Sequence, residues 1–584
     1  MNDWINRRIF GFKIPTHKCD KQEWSANKSV LKKTRSRIIA LMVFFILAYG
    51  CVIGRMTDLT VFHHFIAEND EETASSVAET LSTTKRADIV DSEGLLLATS
   101  LETPSLYADP KTIFNADEAA RKLMTVFPDL AYDDTLKKLK SHKRFVWLKR
   151  NLTPKQVYAA NALGIPGVDF LNETRRLYPQ GAMMSHVIGF TDIDHKGLSG
   201  LERGEDKLLT NSDEPLQTTL DVRMQHILHR EVAKSVADFN AIGGAGLIMN
   251  AKTGEISAMV SLPDFNPHDP NDAAKPENRF NRITLGAYEM GSTFKTFTSA
   301  ALFEFTHTPV LTRFETTRPL HRYGFLIHDF HPEPEPLTVP EIYMKSSNIG
   351  TALEVEKIGT PTMQKFYKQL GLLDKPQIEI KEITPPLIPS PWHEINTITA
   401  SYGHGIAVTP LNLATATASI INGGYKIQPT LIKRPAEYYQ NESRTRVVSE
   451  DTSAKMRDMM RLVVTDGTAS KANVKGYRIG GKTGTAEKTM GHGYSKHAQI
   501  ASFIGAFPMD NPEYIVLIMV DEPQGNKKSY GFATAGWVAA PYVGNVIKDM
   551  APIVGVKPKV DNRLLQIKAA MGILPVQGGR LASY

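Results

Sequence analysis

Residues 291–305 read GSTFKTFTSAALFEF, and their pattern organises the rest of the chain. Phe294, Phe297, Ala301, Leu302 and Phe305 fall on one face at helical spacing, which predicts a helix with Ser292 at its start. Lys295, three residues on, stands one turn along beside the serine hydroxyl. It can take the hydroxyl proton if burial or a cationic neighbour lowers the ammonium pKa. Taken alone, a serine and a lysine at this spacing occur on many solvated helices.

Two further pieces follow in order: Ser346-Ser347-Asn348, and Lys482-Thr483-Gly484-Thr485 after the apolar-edged Tyr477-Arg478-Ile479-Gly480-Gly481. The ordered set S-x-x-K, S-x-N and K-T-G is the one found in penicillin-binding proteins and β-lactamases. Each part suits acyl transfer. Ser292 is the expected nucleophile and Lys295 its base, Ser346 can pass the proton toward a leaving amine, and Asn348 can hold Lys295 or a substrate amide. Lys482 supplies a cationic field that favours a carboxylate-bearing peptide end and helps to keep Lys295 neutral. Thr483 and Thr485 offer hydroxyls to that carboxylate, and Gly484 lets a substrate strand approach the backbone. The amides of Ser292 and Thr485 are the expected oxyanion hole.

Flanking these motifs, Gly246–Asn250 and Glu255–Val260 are apolar runs of strand length across the turn Ala251-Lys252-Thr253-Gly254, which predicts an antiparallel hairpin. Ala501–Phe507 and Tyr514–Val520 predict another, before a last helix near 539–550. Strands at both ends with helices between them indicate an α/β (α+β) domain with a mainly antiparallel sheet, over residues 226–555. Residues 55–225 alternate strand-like pieces (Ala87–Val90, Arg144–Leu148) with helical ones near 116–126 and 154–163, and carry no catalytic constellation. They read as a spacer or docking pedestal. Residues 556–584 are left as a C-terminal tail.

The 584 residues exceed what one core can organise, and 42% apolar with 22% charged is a globular composition. The formal charge of +6 is not a nucleic-acid signature: residues 1–37 alone carry +7, so the body is near neutral. The tail precedes Ile38–Gly54, IIALMVFFILAYGCVIG, an uncharged run at the lower end of bilayer-spanning length. Lys32, Lys33, Arg35 and Arg37 before it, against Glu68, Asp70, Glu71 and Glu72 after it, predict residues 1–37 in the cytoplasm and everything past 55 outside. Gly54-Arg55-Met56 lacks a small-x-small cleavage site, so an uncleaved anchor is expected rather than a signal peptide. Cys19 and Cys51 both precede the body, which therefore has no disulfide or thiolate metal site.

The chain resembles a class B penicillin-binding protein, and most of all the septal, cell-division peptidoglycan D,D-transpeptidase. Besides the three motifs, the resemblance rests on Arg86–Gly94 (RADIVDSEG), Arg176-Leu177-Tyr178-Pro179, Gly197–Glu202 (GLSGLE), Asn281-Arg282, Gly403-His404-Gly405-Ile406 and Ala533–Gly536. It implies a β-lactamase-like transpeptidase domain after a dimerisation-type pedestal, stem peptides ending in D-Ala-D-Ala as acyl donors, and covalent inhibition by β-lactam antibiotics. It further implies an inner-membrane protein with a periplasmic catalytic domain, and as partners a membrane glycan-strand polymerase of the SEDS family with other division proteins. No cofactor or metal is implied. An elongation-type transpeptidase, a D,D-carboxypeptidase or β-lactamase-like hydrolase, and an idle scaffold are the alternatives. The motifs alone do not separate transfer from hydrolysis; the anchor and pedestal favour transfer. Met290 stands where the family usually has proline, which is expected to loosen the approach to the helix. His328-Asp329-Phe330-His331 could suggest metal ligands, but lies in a strand-and-turn stretch before the Pro-rich 332–340. Glu487–His497 reads as a mobile loop over the cleft, with His492 and His497 solvated.

Overall fold

The computed structural model describes residues 41–57, 86–441, 444–490 and 493–573. The basic tail, the first three residues of the apolar run and residues 574–584 lie outside them, as do the side chains of His492 and His497. The chain divides into two units, residues 1–81 and 82–584. In the first, residues 41–57 are helical with exposed apolar side chains. No helix among the described residues is long and apolar enough to cross a membrane.

The second unit begins with a mixed sheet in which the long strand β2 (Leu96–Ala108) pairs antiparallel with β1 (Ile89–Val90), β3 (Val146–Lys149) and β4 (Val168–Leu177). Strand β5 (Leu216–Gln217) pairs parallel with β1. Helices α1 (Ala116–Val126), α2 (Tyr132–Leu139) and α3 (Pro154–Asn161) enclose a small core of Leu106, Leu123, Phe127, Leu139 and Leu148. The other end of this sheet, Ile89 and Leu97, joins the main core. There Glu202, with no exposure, bridges two buried arginines: Arg176 Nε donates to Glu202 Oε1 at 2.7 Å, and Arg86 Nε donates to Oε2. Arg176 Nη2 also reaches Ala87 O at 2.8 Å. The three residues come from the three stretches of the pedestal that carried the resemblance.

The catalytic half is built on a five-stranded antiparallel sheet: β6 (Gly243–Asn250), β7 (Ile256–Leu262), β8 (Gly480–Met490), β9 (Gly493–Phe507) and β10 (Tyr514–Asp521). Their order in space is β8-β9-β10-β6-β7. Both expected hairpins form, and β10 is buried from Ile515 to Asp521, as a central strand covered on both faces must be. Helices α4 (Val222–Asp238) and α9 (Ala540–Met550) cover one face. At Gly246 a Cβ would lie 2.8 Å from Leu228, so α4 sits directly on the backbone of β6.

On the other face stands α5 (Lys295–Thr306), preceded by one tight turn, Gly291–Phe294. The sequence suggested one apolar face; the helix is buried on every side from Lys295 to Phe303, and Phe305 is at its exposed end. Its threonines and serines are tolerated because they bond within the interior, as Thr298 Oγ1 does to Ser401 O at 2.8 Å. Helix α8 (Glu450–Thr465) flanks it, together with α6 (Val339–Lys345) and α7 (Asn348–Ile358). Among the described residues of Glu487–His497, 487–490 and 493–497 are strand rather than loop: β8 and β9 pair Lys488 with Ser495 and Met490 with Gly493. The stretch is polar in sequence, without an apolar alternation, which is why it read as loop.

Candidate active site

The turn that carries Ser292 is fixed by backbone contacts on two sides. Gly291 has φ +52, and its amide donates to Gly403 O at 3.2 Å. On the opposite side, a Cβ at Gly484 would lie 2.4 Å from Met290 O and 2.8 Å from Thr293 Cγ2. The absence of a side chain at Gly484 therefore serves closure of the nucleophile turn onto β8, a role that its expected approach to a substrate strand did not include. Met290 packs into the turn. Its side chain is 1% exposed, within the core, and its carbonyl accepts the Thr293 hydroxyl at 2.9 Å.

Helix α6 opens with a capping box, Thr338 and Glu341, and ends on Ser346 in the left-handed conformation, φ 64. That conformation turns the chain back so that Ser346 and Asn348 both meet Lys295. Lys295 Nζ lies 2.5 Å from Ser346 O, 2.7 Å from Asn348 Oδ1 and 3.3 Å from Ser346 Oγ. Lys482 Nζ approaches the same hydroxyl from β8 at 2.9 Å and stands over the Tyr343 ring at 5.7 Å. Thus Lys295 and Lys482 converge on Ser346 Oγ, so that one residue from each motif meets there, and Ser292 is partly exposed. None of the Lys295 hydrogen bonds goes to Ser292. A neutral amine has two N–H donors; spent on Ser346 O and Asn348 Oδ1, they leave its lone pair for a hydroxyl.

Both lysines are fully buried. Burial pulls Lys295 down to about 7, against the opposing attraction of Asp329 and Glu354. The cause is desolvation rather than a cationic neighbour. Lys482 is pushed well below the usual lysine range, by burial first and then by Lys295. Thr483 Oγ1 is 2.7 Å from Thr468 Oγ1, and Thr485 Oγ1 accepts the Ala535 amide at 3.1 Å. Thr485 itself pairs with Ala501 of β9.

Asp329, passed over in the sequence except as part of a metal-like cluster, is the residue that sets the second motif. Its Oδ2 accepts the Ser347 hydroxyl at 2.6 Å, and its Oδ1 accepts the amides of Asn348 and of Ile349, the latter at 3.0 Å. A carboxylate at the first turn of α7 satisfies orphan amides and complements the helix dipole. The neighbouring His328 carbonyl accepts Asn348 Nδ2 at 3.3 Å, which orients Oδ1 toward Lys295.

A family model described as the penicillin binding protein transpeptidase domain matches residues 244–544, and one described as the penicillin-binding protein dimerisation domain matches residues 82–232. The probable peptidoglycan D,D-transpeptidase FtsI of Caulobacter vibrioides is 38% identical over 491 residues, 82% of each chain. The probable peptidoglycan D,D-transpeptidase PenA of Neisseria gonorrhoeae is 31% identical over 559 residues, 90% of this chain and 94% of that one. Among solved structures, penicillin binding protein 3 from Mycobacterium tuberculosis, complexed with aztreonam, has a similar fold, with a TM-score of 0.64 at 22% identity over 82% of this chain and 98% of that one. With both family models matched in order and such identity to FtsI across most of its length, this chain belongs to the class B penicillin-binding proteins.

Proposed function

We propose that this chain is a peptidoglycan D,D-transpeptidase of the division septum, acting through an acyl-serine intermediate. The observation that carries the reading is the convergence of Lys295 and Lys482 on Ser346 Oγ, with Ser292 three residues before Lys295 in the turn that opens its helix. Ser292 Oγ gives its proton to Lys295 Nζ as it bonds to the carbonyl carbon of the penultimate D-Ala. The amides of Ser292 and Thr485 receive the oxyanion. Collapse breaks the C–N bond, and the proton passes from Lys295 by way of Ser346 to the departing terminal D-Ala. An acceptor amine then attacks the acyl carbon and gives its proton to Lys295, the bond from the acyl carbon to Ser292 Oγ breaks, and the proton returns from Lys295 to Ser292 Oγ. Lys482, Thr483 and Thr485 bind the donor carboxylate, and Asn348 holds Lys295. A β-lactam enters as a donor whose leaving group stays attached. The septal assignment is supported by the relative named FtsI.

The finer organisation is part of the same proposal: a cytoplasmic tail at 1–37, an anchor helix at 38–54 in the inner membrane, a pedestal at 55–225, a periplasmic transpeptidase domain at 226–555 and a C-terminal segment at 556–584. The apolar run between basic and acidic flanks supports the anchor. A membrane glycan-strand polymerase of the SEDS family and other division proteins are the proposed partners, a reading supported by the relative named FtsI. Mass spectrometry of the whole chain after penicillin treatment tests the catalytic reading. One adduct on Ser292 is expected, and none on Ser292→Ala or Lys295→Ala at equal exposure. An adduct surviving on Ser292→Ala would reject it. Depletion producing round cells instead of blocked division would reject the septal assignment.

A further inference from the structure

Residues 135–168 of the pedestal hold eight Lys/Arg and no Asp/Glu, in a body that is near neutral overall. Five of the eight stand in 137–144, KKLKSHKR, which runs from the last turn of α2 into the approach to β3. Arg144, Lys149 and Arg150 are matched by Asp109, Asp129 and Glu173. Lys137, Lys138, Lys140 and Lys143 are exposed and form no ion pair among the described residues. Cations in the last turn of a helix complement its dipole, which accounts for Lys137 and Lys138. Lys140 and Lys143 lie past that turn.

A row of aromatic rings adjoins the run. Along β3, Val146 and Leu148 turn into the small core, so Phe145 and Trp147 face the other way; along β2, Leu106 and Ala108 leave Tyr107, opposite Trp147, on the same outer face. Tyr107 and Phe145 are stacked, with ring centres 4.8 Å apart and planes at 24°, and Trp147 meets Phe145 edge-on at 4.8 Å. The Arg150 guanidinium lies 5.3 Å from the centre of the Trp147 ring. All three rings are partly exposed, and none belongs to either core. The acids on this face are Asp169, opposite Tyr107, and Glu173, which Arg150 takes up.

We propose that this outer face of the pedestal sheet binds uncross-linked peptidoglycan strands away from the active site, with sugar rings against Tyr107, Phe145 and Trp147 and stem carboxylates against the four unmatched lysines. This rests on the reading of peptidoglycan as substrate. A glycan strand presents flat C–H faces that suit aromatic rings, and every stem not yet cross-linked ends in a carboxylate. One polymer thus fits both halves of the surface. A second copy of this chain would bring like charge to like charge, and an anionic membrane would use the lysines but leave the rings idle. A strand held here and at Ser292 together is bound through two sites, so weak contacts at each suffice.

The test is binding of soluble, uncross-linked glycan strands with intact stems to the full-length chain in detergent, made Ser292→Ala so that no acyl group is transferred. Combining Lys137→Gln, Lys138→Gln, Lys140→Gln and Lys143→Gln should weaken binding about tenfold or more at about 0.15 M salt. Trp147→Leu should weaken it about threefold or more. Neither change should alter the rate of penicillin acylation when Ser292 is restored. Because the basic tail is shared by every variant, acetylation footprinting of the chain without pedestal changes reads the surface directly, and also serves should Trp147→Leu misfold: strands should protect the four lysines. Undiminished binding in the glutamine variant, or lysines left unprotected, overturns the proposal. So does a loss confined to vesicles of anionic phospholipid, which marks a membrane contact, or a folded Trp147→Leu that binds strands as before, which marks a surface for any polyanion. Strand binding is read without acylation: a chain that binds strands yet forms no penicillin adduct on Ser292 keeps this site and rejects the acyl-serine reading.

Discussion

Asp329 accepts the hydroxyl of Ser347 at 2.6 Å, and so a surface stretch ahead of α6 fixes the turn that brings Ser346 and Asn348 to Lys295. Asp329→Ala should slow acylation on the order of 10- to 100-fold and lower stability by about 2 kcal/mol, since two helix amides and a hydroxyl lose their acceptor. Asp329→Asn, which keeps one acceptor oxygen, should fall between. Penicillin acylation kinetics with thermal unfolding measure both. An unchanged rate in the alanine variant would mean that the turn holds itself.

Burial lowers the Lys482 pKa well below the usual lysine range, and a bound carboxylate favours its ammonium form. Binding of a carboxylate-bearing β-lactam should therefore favour proton uptake and weaken as pH rises. Calorimetry on Ser292→Ala, in two buffers of different ionisation heat, reads the uptake directly. Lys482→Ala should abolish the uptake and slow acylation of the native protein without ending it. Binding that strengthens with rising pH would contradict this sign.

Gly484→Ala sets a methyl group 2.4 Å from the Met290 carbonyl. The nucleophile turn must retreat from β8, and acylation should drop at least about 100-fold, with a loss of roughly 2–3 kcal/mol in stability. Gly324, at φ +81 with nothing within 4 Å, is the control: alanine there should cost about 1 kcal/mol and leave the rate alone. Equal rates in the two variants would show that the turn does not depend on this closeness.

Glu202→Ala leaves Arg86 and Arg176 buried without their shared carboxylate. A loss of about 3–5 kcal/mol is expected, the scale for a buried pair deprived of one partner. Thermal unfolding of the variant checks it; a shift of less than about 1 kcal/mol would show that the arginines are satisfied by the backbone carbonyls they also reach.

The three motifs were legible because each is short and its chemistry needs fixed residue types. Strands and helices of the sheet were legible from period and punctuation. Asp329 was not, because its partners are amides of a helix that begins 19 residues later, and no spacing rule links them. Glu354 sits in a helix whose pattern, NIGTALEVEKI, suggests an ordinary charged position; only packing shows that it is enclosed. Met290 read as a departure from a proline, yet the turn depends on Gly291, Gly403 and Gly484 as well. The ribbon of β8 and β9 was hidden by its polar composition, which offers no apolar alternation to read.

The sheet order places β10 between β9 and β6, so Gly243–Asn250, made early, waits for Tyr514–Asp521. A polypeptide emerging from its amino end would carry Ser292 and Lys295 for more than two hundred residues, and Ser346 for more than one hundred and sixty, before the central strand arrives. Until then β8 has no sheet to belong to, and Lys482 no fixed approach to Ser346. Penicillin capture should thus date the completion of folding: nascent chains stopped short of Asp521 remain inert, and reactivity switches on with the last hairpin.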